Sequence, residues 1–280
     1  MSVLGIDLGG TNVRAGLVRK GRLVRAEAVS IGSQGSQGEI LKQIYQLVDP
    51  IVPSDLEGIG VGVPSVVDPK TGIVYDVTNI PSWKKVPVKS LLQRRYGVPT
   101  YVNNDANCFA AGEKYYGKGK KYKHLVGLIV GTGLGAGIIA NGKLYSGANC
   151  GAGEFGMLPY KDHNFEYYCS GQFFWNLHQT SGEELCQRAG DGNRRALQIF
   201  SEFGTHLGEA VKAILYAADP EIIIMGGSVS RSFWYFQGAM WKAIKDFAYS
   251  ITVEKIKIEV SERQPIAILG AAALYHDATK

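Results

Sequence analysis

No stretch of the 280-residue chain holds the roughly 18 consecutive apolar residues that a membrane span requires. The first residues, MSVLGIDLGG, lack the basic-then-apolar order of a secretory signal, so a cytoplasmic protein is expected. Cysteine is scarce. Cys108, Cys150, Cys169 and Cys186 stand far apart with no CxxC pair, which argues against a disulfide framework or a cysteine-built metal site and for reduced, partly buried thiols. Low-complexity tracts are absent. Charge of one sign is also in short supply: the net charge is +5. The one dense basic run is KYYGKGKKYKH, residues 114–124, where tyrosines alternate with lysines. A nucleic-acid patch has this look, and so has a solvated connector between two lobes. Nothing else resembles a recognition helix, which favours the connector.

Glycine, by contrast, is abundant: 36 residues, clustered where strands meet turns. There it sets turn geometry rather than flexibility. Around these turns the chain alternates β-like and helix-like segments. VLGIDL and VRAGLVRKGRLVRAEAV read as strands. EILKQIYQLVDPIV and VKSLLQRRYG read as helices, GIGVGVPSVV as a strand with a loop, and PTYVNN as a short strand. HLVGLIVGTGLGAGIIANGKLYSG repeats the opening pattern of strand, Gly/Thr turn, strand and tight turn about 125 residues later. Its Asn141-Gly142 pair is a strong hairpin signal. Helices follow at FFWNLHQ, GEELCQRAG, NRRALQIFSEFGTHLGEAVKAILYAAD and SFWYFQGAMWKAIKDFAYSI. PEIIIMGG between the last two reads as a buried strand, and PIAILGAAALYHD as a small-residue helix able to pack back on the first lobe. Two lobes are thus expected, residues 1–112 completed by the helix 265–280, and residues 113–264, with ligands held in the cleft between them.

Three glycine turns stand out. DLGGTN, residues 7–12, combines an acid, two glycines and a hydroxyl. Glycines let backbone N–H groups approach an anion, and Thr11 adds a donor. Asp7 at the strand end suits a hydrated Mg²⁺. VGTGLG, residues 130–135, repeats the turn without the acid, and MGGS is the third. Neither of the first two continues as a Walker A GK[ST], and neither is a GxGxxG opening a long helix. Singly, each also fits an ordinary hairpin turn. Together they can surround a triphosphate. VNNDANCFAAGE, residues 102–113, puts Asn103, Asn104 and Asp105 where a strand hands over to a helix. A helix cap accounts for them, and so does an active-site carboxylate at the carboxyl edge of a sheet.

GIDLGGTNVRAGLV resembles the first phosphate motif of actin-like ATPase-domain sugar kinases. More specifically the chain is similar to the ROK family, of glucokinase and hexokinase type. The resemblance runs in order through GVPSVVD (62–68), NIPSW (79–83), NNDANCFAAGE (103–113), GLIVGTGLGAGII (127–139), GAGEFG (151–156), PEIIIMGG (220–227) and ILGAAAL (268–274). It implies an α/β, two-lobed actin-like ATPase (ribonuclease H-like) fold with an interlobe cleft. It implies ATP and Mg²⁺ as cofactors, transfer of the γ-phosphoryl group to a hexose 6-hydroxyl, glucose first, and a homodimer. Asp105 would be the general base, drawing a proton from a poor nucleophile. Asn104, Glu154 and Glu166 would bind the sugar, Glu166 by its match to the family stretch that ends in Ser170-Gly171. Ser65 and Asn79 lie in segments resembling sugar-contacting loops. Asp7 would organise Mg²⁺ through water, Gly9, Gly10, Thr11, Gly131, Thr132 and Gly133 would hold phosphates, and Gly226 and Gly227 would lie near the nucleoside.

The chain departs from the family pattern in one region. Met157 follows Gly156 where many members have His, and no cysteine lies between Gly156 and Glu166. A structural zinc needs about four N/S ligands, so no zinc is expected. The lost His leaves sugar identity open among glucose, fructose, mannose and N-acetylated hexosamines, with Phe155 and Met157 as a possible apolar wall. A helix-turn-helix like that of the ROK repressors does not fit ahead of Val3, so no nucleic-acid partner is expected. Inorganic polyphosphate as donor and a non-catalytic sugar sensor are the alternatives.

Overall fold

The computed structural model describes residues 2–77, 79–262 and 265–279. It divides into two compact units: Met1–Lys121 with Ile139–Ala152 and Glu262–Lys280, and Tyr122–Ile138 with Gly153–Ser261.

In the first unit the strands β1 (Ser2–Leu8), β2 (Asn12–Arg19) and β3 (Arg22–Ser30) form an antiparallel meander. The helix α1 (Gln37–Val48) then leads to β4 (Leu56–Val63), which lies parallel to β1. Ser36 starts α1 with a capping box, its backbone N–H donating to Glu39 Oε2 at 2.7 Å. The helix buries Ile40, Leu41, Ile44 and Val48, a spacing of three to four residues that makes one apolar stripe. A small sheet of β5 (Val66–Val67), β6 (Ile73–Tyr75) and β7 (Lys85–Pro87) comes next. Then α2 (Val88–Tyr96) ends at Gly97, whose φ of 70° is the left-handed cap that stops a helix. β8 (Thr100–Asn104) pairs parallel with β4 and runs straight into α3 (Asp105–Tyr115). The sheet order is therefore β3-β2-β1-β4-β8. Its inner strands are apolar on both faces because helices cover it.

The last helix of the chain, α10 (Ile266–Thr279), closes this unit. Its ILGAAAL stretch lies so close to the sheet that a Cβ on Gly60 would sit 1.8 Å from the Ala271 carbonyl oxygen. A Cβ on Gly5 would sit 2.1 Å from that of Ile268. Glycine on the strand and alanine on the helix make this approach possible.

In the chain between, β9 (Leu125–Val130), β10 (Leu134–Ala140) and β11 (Lys143–Tyr145) form the expected second strand–turn–strand series. Asn141 and Gly142 both take positive φ, 53° and 80°, as a two-residue hairpin turn requires. The second unit continues with the hairpin β12 (Pro159–Tyr160) and β13 (His163–Asn164). Four helices follow: α4 (Phe165–Cys169), α5 (Gly171–His178), α6 (Gly182–Gly190) and the 25-residue α7 (Arg194–Ala218). It ends with β14 (Ile222–Gly226), α8 (Phe233–Ile244), α9 (Ser250–Lys255) and β15 (Lys257–Val260). β9, β14 and β15 are parallel neighbours. Phe173, Phe174, Phe200, Phe203 and Phe236 are all fully buried in its core.

Three expectations need correcting. The first unit does not stop at residue 112: Glu113 and Tyr116 are buried in it, and residues 139–152 return to it. The basic run 114–124 does lead from one unit to the other, which divide between Lys121 and Tyr122, but it is only partly solvated, because its tyrosines are anchored. Tyr116 packs with Val3, Val18 and Leu269, and Tyr122 is buried under the Lys257 ammonium, 5.5 Å from the ring centre. The aromatic segment 232–251 is not one helix. It turns after Ile244, where Phe247 tucks into the core and Asp246 pairs with Lys212 at 3.0 Å.

Candidate functional site

The candidate residues fall into two groups, one in each unit. In the first unit, parallel pairing sets Asp7 opposite Gly62 and Gly62 opposite Asn103, so β1, β4 and β8 end together. The carboxyl edge of such strands is where α/β sheets hold ligands. Asp7 is largely buried, and burial raises its proton affinity above the ordinary carboxylate value. The Arg14 guanidinium, 3.9 Å away, works in the opposite direction. In the turn after it, the Gly9 N–H donates to the Asn12 carbonyl at 2.8 Å. Asn79 lies over Gly10, where a Cβ would be 2.4 Å from its Nδ2. Thr11 is exposed, and its Oγ1 accepts from Asn12 Nδ2 at 3.1 Å.

At the β8–α3 junction the cap reading of NND holds, and the Asp105 carboxylate stands just past the carboxyl end of β8. Asn104 is the cap: its Oδ1 accepts the Ala106 N–H at 2.9 Å. Its Nδ2 donates to the Ser65 carbonyl at 3.5 Å, which leaves the amide one further hydrogen to donate. Asp105 is the first helical residue, exposed, with Oδ1 accepting the same Ala106 N–H at 2.9 Å. The first-turn N–H groups attract negative charge there. Beneath it lies a network the sequence reading missed. Asn103 Oδ1 accepts from the Asn104 N–H (2.8 Å) and from Asn107 Nδ2 (2.9 Å). Asn103 Nδ2 donates to Ser146 Oγ at 2.9 Å, and Asn107 Nδ2 also reaches the Cys150 carbonyl at 3.0 Å. Asn107 follows Asn103 by four residues, one helical turn, and that spacing was its only signal. Ser65 turns its hydroxyl to the Tyr75 carbonyl.

In the second unit β9 and β14 run parallel with Gly226 opposite Ile129, so the two glycine turns that follow are neighbours. The Gly131 N–H donates to the Gly133 carbonyl at 3.0 Å. Gly227 has φ +90° and passes so near β9 that a Cβ would lie 2.3 Å from the Val130 carbonyl. Against these turns opens a cavity of about 730 Å³ lined by Gly131, Thr132, Gln172, Trp175, Ser228 and Arg231, among others. Gly226 and Gly227 shape the turn, while Ser228 and Val229 form the wall. The α5–α6 wall, which includes Asn176, Gly182 and Cys186, was read in sequence only as helix. Volume and lining suit a small ligand with a planar group and a polar tail.

Glu154 and Glu166 stand in the same unit. Glu166 accepts the Leu134 N–H at Oε2 (2.9 Å) and Gln172 Nε2 at Oε1 (3.1 Å). Partial burial, and then the negative charge of Glu166, push the Glu154 carboxyl above its ordinary value. Of the two residues expected as an apolar wall in place of the His, Phe155 is buried in the core and Met157 is exposed. The segment after it is packed by rings: Tyr160 stacks on Phe165 at 4.5 Å and His163 on Tyr167 at 3.9 Å. Among the described residues no group of three or more His, Cys, Asp or Glu side chains could hold a metal. Mg²⁺, a hard cation that keeps several waters and takes one or two carboxylates plus substrate phosphates, would need no more than a single carboxylate such as Asp7.

A glucokinase of Thermotoga maritima is 27% identical across 98% of this chain and 97% of its own. A xylose repressor of Caldicellulosiruptor bescii is 28% identical over 98% of this chain and 77% of its own length. The structure of a ROK family glucokinase from Streptomyces griseus in complex with glucose and AMPPNP superposes with a TM-score of 0.80 at 25% identity. It covers 98% of this chain and 99% of that one. The fold is thus that of the actin-like ATPase sugar kinases. Residues 3–278 match the ROK family throughout, and the chain belongs to that family.

Proposed function

We propose that this protein is an ATP-dependent hexose kinase that phosphorylates a sugar 6-hydroxyl, glucose being the first candidate. The observation that carries the reading is the β8–α3 junction. There a capped helix start exposes the Asp105 carboxylate while the Asn103–Asn107 network fixes its backbone. Asp105 takes the proton of the attacking hydroxyl as the phosphoryl group transfers. Asn104 Nδ2, Ser65, Asn79 and the carboxylates of Glu154 and Glu166 hold the sugar, since a carboxylate accepts from more than one hydroxyl. The phosphates lie against the Gly9–Thr11 turn, with the N–H groups of Gly10 and Thr11 as donors, and against the 131–133 turn, with those of Thr132 and Gly133; the Gly9 and Gly131 N–H groups hold the turns themselves. The nucleoside lies in the 730 Å³ cavity. A bound Mg²⁺ would neutralise phosphate charge, and Asp7 would orient its water. The glucose and AMPPNP of the Streptomyces griseus structure support both ligand classes.

A Mg-ATP phosphorylation assay over glucose, fructose, mannose and N-acetylated hexosamines tests this. Turnover on one of them is expected. No turnover with ATP or polyphosphate, combined with thermal stabilisation by a sugar, would instead favour a non-catalytic sugar-responsive protein. The likeness to a xylose repressor gives that second reading its support.

A further inference from the structure

Glu166 touches the donor side as directly as any acceptor. Its two carboxylate oxygens are tied to Leu134 N–H and to Gln172 Nε2, and Gln172 lines the cavity. The other end of the same turn is held by the same segment: the Gly171 N–H donates to the Gly131 carbonyl at 2.7 Å. The turn 131–134 is therefore clamped at both ends by residues 166–171. Gly133 also acquires a reason beyond phosphate approach, since a Cβ there would lie 2.5 Å from Glu166 Oε2. A carboxylate so close to a phosphate-binding turn would repel anions. That it is kept there, with both oxygens engaged by N–H donors, argues for a structural gain at the turn.

The geometry points to Glu166 as a positioning residue for nucleotide: it sets the conformation of the Gly131–Leu134 turn and of Gln172, and so controls nucleotide affinity even with no sugar bound. This rests on the proposed reading of the cavity as the nucleotide site. It adds a donor-side role to a residue assigned to the sugar.

The test is calorimetric titration of the whole protein with Mg-AMPPNP in the absence of sugar. Glu166→Ala is expected to weaken binding about tenfold, the loss of one charge-assisted hydrogen bond. Glu166→Gln keeps an oxygen for Leu134 N–H, and the Gln172 amide can turn to meet the new NH₂. It is expected to hold nucleotide within about threefold of wild type, with sugar affinity weakened but still measurable. Gly133→Ala, which displaces Glu166, should also weaken nucleotide binding, and its effect should largely vanish in the Glu166→Ala background. The Gly133→Ala and Glu166→Gln variants carry the test if Glu166→Ala fails to fold. Nucleotide affinity unmoved in all variants would overturn the inference. Additive losses from Gly133→Ala and Glu166→Ala would overturn it as well. No AMPPNP binding by the wild type would instead overturn the nucleotide reading of the cavity.

Discussion

Asp7 and Glu154 are carboxylates whose surroundings hold the proton more tightly than water would. For Glu154 the causes are burial first and the charge of Glu166 second. In the proposed reading ionised Glu154 is the form that accepts sugar hydroxyls, so sugar affinity should fall as pH drops through its raised value. In Glu166→Gln the like charge is gone and the fall should come at lower pH. Sugar affinity measured against pH in the two proteins checks this, and superimposable midpoints would contradict it. For Asp7 the cause is burial, opposed by Arg14. Its folded-state proton affinity exceeds that in the unfolded chain, so it favours folding at low pH. That contribution is lost as pH rises through the folded value. Asp7→Asn should therefore raise the melting temperature at neutral and alkaline pH. The gain should shrink in acid, where Asp7 is protonated, and phosphorylation should be lost throughout. Calorimetry across pH decides it.

At the scale of elements, the parallel strands explain why distant motifs meet. Asp7, Gly62 and Asn103 lie side by side because β1, β4 and β8 pair in that register. The ends of β9 and β14 do the same for the two glycine turns. The sequence reading found these strands by their apolar runs, and it found the turns by their glycines. It missed Asn107, whose role depends on a buried network, and the α5–α6 wall, because ordinary helical residues such as Gln172, Trp175 and Gln187 become lining only once the chain folds. It also read the lysines of 114–124 and not the burial of Tyr116 and Tyr122, since a tyrosine's surroundings come from other elements. The helix α10 was read correctly as a small-residue element. Its contact distance could not be read. Gly60→Ala would drive a methyl into the Ala271 carbonyl. Overpacking of this kind costs about 1–3 kcal/mol, and backbone on both sides leaves little room to yield. A lower denaturation midpoint with an unchanged slope is expected from chemical unfolding.

At the scale of the molecule, the chain crosses between the two units several times, and the contribution of residues 139–152 to the first one was not visible in sequence. That segment supplies the Ser146 hydroxyl and Cys150 carbonyl that hold Asn103 and Asn107. The framework of the β8–α3 junction therefore depends on chain that follows the Gly131–Gly133 turn. Removing the Asn107 amide by Asn107→Ala should lower phosphorylation while leaving nucleotide affinity near wild type, because its contacts are with Asn103 and Cys150. Titration with AMPPNP alongside turnover separates the two effects. The central claim is that Asp105 is the base of a sugar kinase, and one comparison tests it most directly: phosphorylation of the preferred hexose by wild type and by Asp105→Asn, with sugar affinity measured in both. Turnover should fall by about 10²-fold or more while sugar affinity is retained. Equal turnover in the two proteins would contradict it.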